Sequence, residues 1–264
     1  MVKKLFRYQL PKREGLILQW DDLFGEIAPL PGFSKETLQE AEKEVTEWIL
    51  NGASPSLPSV RFGIASAQRP LQSVRLRLCS LGPKPGFPAW KLKLGHLPLQ
   101  EAIRFAKEHK GPHVRLDCNR AWSLDEALEF ASHFQPGDFD YLEEPVKTVP
   151  ELREFSRITR FPIALDESID TDWSQIPSLK TIVVKPTIVG GAPKTHLNLV
   201  LSSAYESGLG LLHIANLARN RLPIGLDTVF EEDLLAHPIQ SSAGVFAWNK
   251  EEPLLNMDRL CRVL

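Results

Sequence analysis

The sequence predicts an α/β protein: a modified (β/α) barrel preceded by a smaller α+β capping domain. Three observations predict it. From residue 74 onward short apolar strands alternate with amphipathic helical stretches; charged residues close successive strands; and the first 73 residues read as strands followed by helices.

In the capping section, 5–10 and 15–20 read as antiparallel strands across the turn at Pro11-Lys12-Arg13-Glu14, and 25–28 as a third. Pro31-Gly32 breaks the pattern. Ser34 then stands at an N-cap position, with Leu38, Ala41, Val45 and Ile49 at helical spacing behind it and Asn51-Gly52 as the stop. A second helix follows Pro58 and ends before Pro70. Barrel strands are expected at 74–78, 89–94, 114–118, 141–144, 163–166, 181–185, 197–202 and, more weakly, 224–227. Helices are clearest at 99–109, 124–134, 150–158 and 207–218. The tail 245–264 is too short for a domain and is expected to pack back on residues 1–73, leaving 74–244 as the catalytic domain. An open doubly wound sheet is the alternative, weakened because no Gly-rich phosphate loop follows any strand and Gly190-Gly191 is the one Gly pair.

Composition excludes several classes. With 264 residues and 43% apolar content the chain can bury a large core. Its 31 basic and 33 acidic residues are mixed throughout, so no basic face for nucleic acid is expected. The start has no apolar leader, and no stretch approaches the roughly 18 apolar residues of a membrane span, which points to a cytoplasmic protein without a membrane partner. Cys79, Cys118 and Cys261 fit neither a disulfide framework nor a zinc set and read as small buried hydrophobes. Oligomeric state is not encoded in any pattern found.

Polar residues on the strands carry the chemistry. Lys91 and Lys93 lie two apart on one strand and so share a face. Asp117, Glu143 and Asp166 close three successive strands, and Lys185 closes the next. At a barrel mouth three carboxylates repel unless a cation holds them, and an oxygen-only set favours magnesium over zinc. A carboxylate substrate chelated to that ion gains a second negative charge when its α-proton leaves, which the ion opposes directly. A lysine base must be partly neutral; Lys91 as a like-charged neighbour would lower the pKa of Lys93 in that direction. Singly, each feature has an ordinary explanation: a solvated Lys pair, a turn or cap at Asp117-Cys118-Asn119, a strand end at Glu143-Glu144-Pro145, an acidic loop at Asp166-Glu167-Ser168, a snorkelling Lys185. Their recurrence at five strands in register favours a shared site.

At these residues the chain resembles the muconate-lactonizing subgroup of the enolase superfamily. Trp90-Lys91-Leu92-Lys93-Leu94-Gly95 is similar to its Lys-x-Lys strand, and Leu116-Asp117-Cys118-Asn119, Leu142-Glu143-Glu144-Pro145 and Leu165-Asp166-Glu167-Ser168 to its three ligand motifs. Val183-Val184-Lys185-Pro186 resembles its opposite lysine. The segment from Gly25 to Ser34 with Glu36-Thr37 looks like the capping domain of o-succinylbenzoate synthases in particular, and Ser202 to Ser207 and Gly225 to Thr228 look like their seventh and eighth strand ends. The resemblance implies a magnesium-dependent lyase, with manganese as a substitute, that dehydrates the small carboxylate 2-succinyl-6-hydroxy-2,4-cyclohexadiene-1-carboxylate to o-succinylbenzoate in menaquinone biosynthesis. It implies Asp117, Glu143 (not Glu144) and Asp166 as ligands and Lys93 as the base. Lys185 would be a cation across the ring, with Lys91, Asn119, Ser202, Ser203 and Phe33 as substrate contacts. Phe33 would lie on a loop, 29–34, covering the barrel mouth, or else anchor the cap's core. One departure is visible: residues 192–201 are too few for a full helix plus strand, so the sixth barrel helix is expected to be shortened or missing. An N-acylamino acid racemase or dipeptide epimerase, using both lysines as bases, stays open, as does a non-catalytic binding protein of the same fold.

Overall fold

Apolar alternation builds the first layer of the computed structural model, which describes residues 2–218, 222–228, 232–250 and 254–264. Strands β1 (Lys3–Leu10), β2 (Arg13–Trp20) and β3 (Leu23–Ile27) form an antiparallel meander, with Leu5 opposite Leu18 and Leu16 opposite Ile27. These four residues share a core with Ala41 and Val45 of α1 (Leu38–Asn51) and Val60 and Ile64 of α2 (Pro58–Ser66). Gly25 and Gly63 let β3 and α2 meet backbone to backbone: a Cβ on Gly25 would lie 2.0 Å from the Gly63 carbonyl oxygen.

Helix α1 starts at Thr37 rather than Ser34. Thr37 and Glu40 form a reciprocal capping box, whereas the Ser34 hydroxyl accepts the Leu30 N–H at 2.8 Å and closes the turn before it.

The strand expected at 74–78 is not the first of the parallel sheet. β4 (Val74–Arg77) alternates half-buried and exposed residues, a pattern suited to an antiparallel sheet with one wet face. The first parallel strand is β5 (Cys79–Leu81), followed by β6 (Ala89–Lys93), α3 (Leu99–Glu108), β7 (Val114–Asp117), α4 (Leu124–Ser132), β8 (Tyr141–Glu143), α5 (Val149–Thr159), β9 (Ile163–Leu165) and β10 (Leu179–Val184). A single turn, α6 (Pro186–Val189), precedes β11 (Asn198–Leu201), and Gly190 ends that turn at φ 84°. The seven strands β5 to β11 are hydrogen-bonded in sequence order, and neighbours from β5 to β10 are parallel. Of the eighth strand expected at 224–227, the described residues keep one parallel bridge, Gly225 to Ser202.

After α7 (Gly208–Asn216), β12 (Gln240–Ser242) and β13 (Val245–Trp248) join β4 in a three-stranded sheet, and β14 (Leu260–Arg262) pairs with β1, Leu260 opposite Tyr8. Met1 and tail residues 251–253 lie outside the described residues. Two compact units result: Met1–Leu76, Val184–Lys194 and Leu201–Leu264 in one, Arg77–Val183 and Thr195–Val200 in the other. Cys79 and Cys118 are buried and unbridged, but Cys261, on the edge strand β14, is exposed and does not fit the reading of a buried hydrophobe. No helix among the described residues is long and apolar enough to cross a membrane.

Within the first unit, the buried Glu26 carboxylate accepts hydrogen bonds from the Tyr8 hydroxyl, from the Ser207 N–H at 3.0 Å and from the Ser207 hydroxyl at 2.9 Å. Burial outweighs these bonds and raises its pKa from 4.5 to about 7. The folded chain therefore keeps a proton that the unfolded chain has lost between these values. The associated stability is present below pH 4.5 and is lost as pH rises through about 7, at about 1.4 kcal/mol per unit of displacement. Urea unfolding at pH 5 and pH 7.5 should show this loss in the wild type and not in Glu26→Gln; parallel pH dependences would contradict it.

Candidate active site

Strand register assembles two rows of polar residues on one face of the parallel sheet. Lys91, Arg115 and Tyr141 are neighbours on β6, β7 and β8, and two residues further on Lys93, Asp117 and Glu143 are neighbours in turn. In the first row Arg115 is tied into the fold, its Nε donating to Asp140 Oδ2 at 3.1 Å, while Lys91 reaches toward the second row. The second ends the strands. Gly95 lets the chain leave β6 close to the next strand's end, since a Cβ there would lie 2.1 Å from the Cys118 carbonyl oxygen.

Asp117 and Glu143 converge on one positive centre. The Lys91 ammonium stands 2.8 Å from Asp117 Oδ2 and 2.8 Å from Glu143 Oε1, and both carboxylates are almost fully buried. Asp117 Oδ1 accepts the Asn119 N–H at 3.1 Å. Burial by itself would lower the Lys91 pKa, but Glu143 and Asp117 outweigh it and hold the ammonium firmly charged. At Glu143 burial wins: with the charges of Asp117 and Asp166 behind it, burial raises the pKa despite Lys91. Its second oxygen, Oε2, is buried and has no hydrogen-bond partner among the described residues.

Asp166 immediately follows β9, is half-buried and acts on Glu143 through its charge. Among the described residues no three His, Cys, Asp or Glu side chains stand arranged to enclose a metal ion. The direct cluster is Lys91, Asp117 and Glu143. The donor chemistry still suits a divalent ion: two buried carboxylates, Asp117 and Glu143, converge on one ammonium, and Glu143 Oε2, orphaned among the described residues, is the type of atom a cation satisfies.

Lys93 is exposed, and Lys91 and Lys93 both line a pocket of about 490 Å³ with Leu92, His96, Leu97 and Phe105. Asn119 is exposed in a left-handed conformation, φ 47°. Lys185, Ser202, Ser203 and Phe33 belong to the other compact unit. There Lys185 follows β10 at the N-cap of α6, and the Ser202 N–H donates to the Val184 carbonyl at 2.9 Å. Ser203 is buried and shares a hydrogen bond with the Thr228 hydroxyl at 2.7 Å. Phe33 is 69% exposed, which rules out the role of core anchor. Sequence reasoning passed over Glu144 and Ser168. Glu144 lies just past the end of β8, and its value lies in hydrogen bonds that only the folded chain reveals.

A family model described as enolase C-terminal domain-like matches residues 81–189, and one described as MenC, N-terminal domain, matches residues 5–71. The o-succinylbenzoate synthase of Klebsiella pneumoniae (strain 342) is 34% identical, covering 98% of each chain; that of Escherichia fergusonii is 32% identical, covering 99% of each. The first alignment spans 323 positions against 264 residues here, so at least 59 positions of that relative face gaps. Among solved structures, o-succinylbenzoate synthase from Thermosynechococcus elongatus BP-1, with magnesium in its active site, superposes with a TM-score of 0.66 at 20% identity, covering 86% of this chain and 90% of that one. The L-Ala-D/L-Glu epimerase of Bacillus subtilis gives 0.72 at 18% identity, covering 100% and 98%. At such identities the structural matches speak for the fold.

Proposed function

The chain belongs to the o-succinylbenzoate synthase family, within the enolase superfamily, and from that premise we propose that it dehydrates 2-succinyl-6-hydroxy-2,4-cyclohexadiene-1-carboxylate to o-succinylbenzoate, a step of menaquinone biosynthesis. The observation that carries the reading is the pair of buried carboxylates, Asp117 and Glu143, both 2.8 Å from one cationic centre at the ends of strands in register with Lys93.

Asp117, Glu143 and Asp166 are the residues that would hold magnesium, and manganese, which accepts the same oxygen set, should replace it. A divalent ion bound there supplies positive charge against the substrate carboxylate and lowers the cost of removing the adjacent proton. Lys93 Nζ takes that proton from the carbon next to the carboxylate. As the C–O bond breaks, its electron pair leaves with the hydroxyl, which takes the proton back from the Lys93 ammonium and departs as water. The ring becomes aromatic, which favours the forward direction. Lys185 contributes positive charge to the developing π system. Lys91, Asn119, Ser202 and Ser203 supply polar contacts, and exposed Phe33 an apolar one on a loop that limits water access.

The epimerase alternative shares the fold but has weaker support, since the epimerase match stands at 18% identity against 34% for the synthase. Purified protein with magnesium should convert the cyclohexadiene substrate, lose the activity in EDTA and regain it with magnesium or manganese. Racemisation of N-acylamino acids or dipeptides with no dehydration would overturn the proposal.

A further inference from the structure

The second acidic residue of Glu143-Glu144-Pro145 is not a ligand candidate, yet it is fully buried. Its carboxylate is turned toward the loop after β9. Glu144 Oε1 accepts the Asp166 N–H at 3.0 Å and the Ser168 N–H at 2.7 Å, while Oε2 accepts the Ser168 hydroxyl at 2.8 Å. Three donors from the loop carrying Asp166 thus end on one side chain.

Its main chain reaches the neighbouring loops as well. The Glu144 N–H donates to the Ala164 carbonyl at 3.2 Å, and its own carbonyl accepts the Arg120 N–H at 2.8 Å, next to Asn119 in the loop that follows Asp117. Glu144 makes these bonds at φ 44°, a left-handed conformation unusual for a side-chain-bearing residue. Backbone held in such a region persists where the surroundings over-determine it, often at functional sites.

We propose that Glu144 is the positioning residue of the metal site, setting the backbone that presents Asp166 and tying together the ends of β7, β8 and β9. The inference rests on the metal reading given above. Groups of this kind orient ligands without touching the ion, and their loss typically weakens metal binding by about 10–100-fold. Hydrogen-bond geometry, not charge, does the positioning. A glutamine can keep all three bonds: its oxygen accepts both N–H groups, and its amide donates to the Ser168 hydroxyl, which can accept as readily as donate.

The test is magnesium titration calorimetry on the full chain, with melting temperatures in EDTA, for wild type, Glu144→Ala, Glu144→Gln and Ser168→Ala. Glu144→Ala should weaken magnesium binding by about 10–100-fold, with kcat/KM recovered at saturating magnesium. Glu144→Gln should stay close to wild type and Ser168→Ala fall between. Unchanged affinity in Glu144→Ala alongside a lowered melting temperature would reduce the residue to a structural role and overturn the inference. So would a Glu144→Gln as weak as the alanine variant. If Glu144→Ala does not fold, Ser168→Ala decides: wild-type affinity there counts against positioning. Wild-type protein that takes up no magnesium would overturn the proposed function itself.

Discussion

Lys93→Arg should abolish dehydration, by about 10²–10⁴-fold or more, while leaving magnesium uptake and folding intact. Lys93 must exchange a proton twice in the proposed cycle, and arginine keeps the charge but stays protonated at any relevant pH. The side chain is exposed, so its replacement removes little packing. Lys185 is asked for charge alone, so Lys185→Arg should retain more activity than Lys185→Ala where the guanidinium fits. A racemase would instead need both lysines as bases, and either arginine substitution would stop exchange on one face. Dehydration rates measured beside solvent-deuterium exchange in the three variants separate these mechanisms. A Lys93→Arg variant turning over near the wild-type rate would remove Lys93 from the role of base.

Glu143→Ala should cost most of the activity through the metal, not through the fold. Deleting a residue that only orients a ligand costs about 10–100-fold in metal affinity, and loss of a ligand itself should exceed that. The carboxylate is almost fully buried with one oxygen unpartnered, and burial raises its pKa, so the metal-free protein carries it at an electrostatic disadvantage. Substitution removes that disadvantage but leaves the Lys91 ammonium with Asp117 alone, so the melting temperature in EDTA serves as each variant's own baseline. Magnesium should raise the melting temperature of the wild type, as any ligand bound only by the native state does, and leave that of Glu143→Ala unmoved. A variant still stabilised by magnesium would exclude Glu143 as a ligand.

Local rules carried much of the fold. Short apolar runs bounded by turns located β1, β2, β6, β7, β8 and β9, and helical spacing with Pro and Gly breaks located α1 to α5, because these signals are written in neighbouring residues. Errors arose where two local readings competed. Ser34 and Thr37 are both good caps, and the choice fell to Thr37 because Glu40 stands three residues on and the Ser34 hydroxyl is drawn to Leu30. The run 74–81 contains enough apolar residues for one strand; the chain makes two, β4 and β5, in different sheets.

The candidate site divides in the same way. Sequence by itself determined which residue types end which strands: Lys91 and Lys93 share a face by period two, and Asp117 and Glu143 close the next two strands whatever their environment. Only the tertiary structure decided how those charges are answered. Lys91 bridges Asp117 and Glu143, Glu143 Oε2 is left without a partner, and Glu144 faces the Asp166 loop with three accepted hydrogen bonds. The reason is physical: the face a strand residue occupies follows from its immediate neighbours, whereas burial and partner choice depend on segments about 20 to 50 residues away that meet only when the sheet has formed.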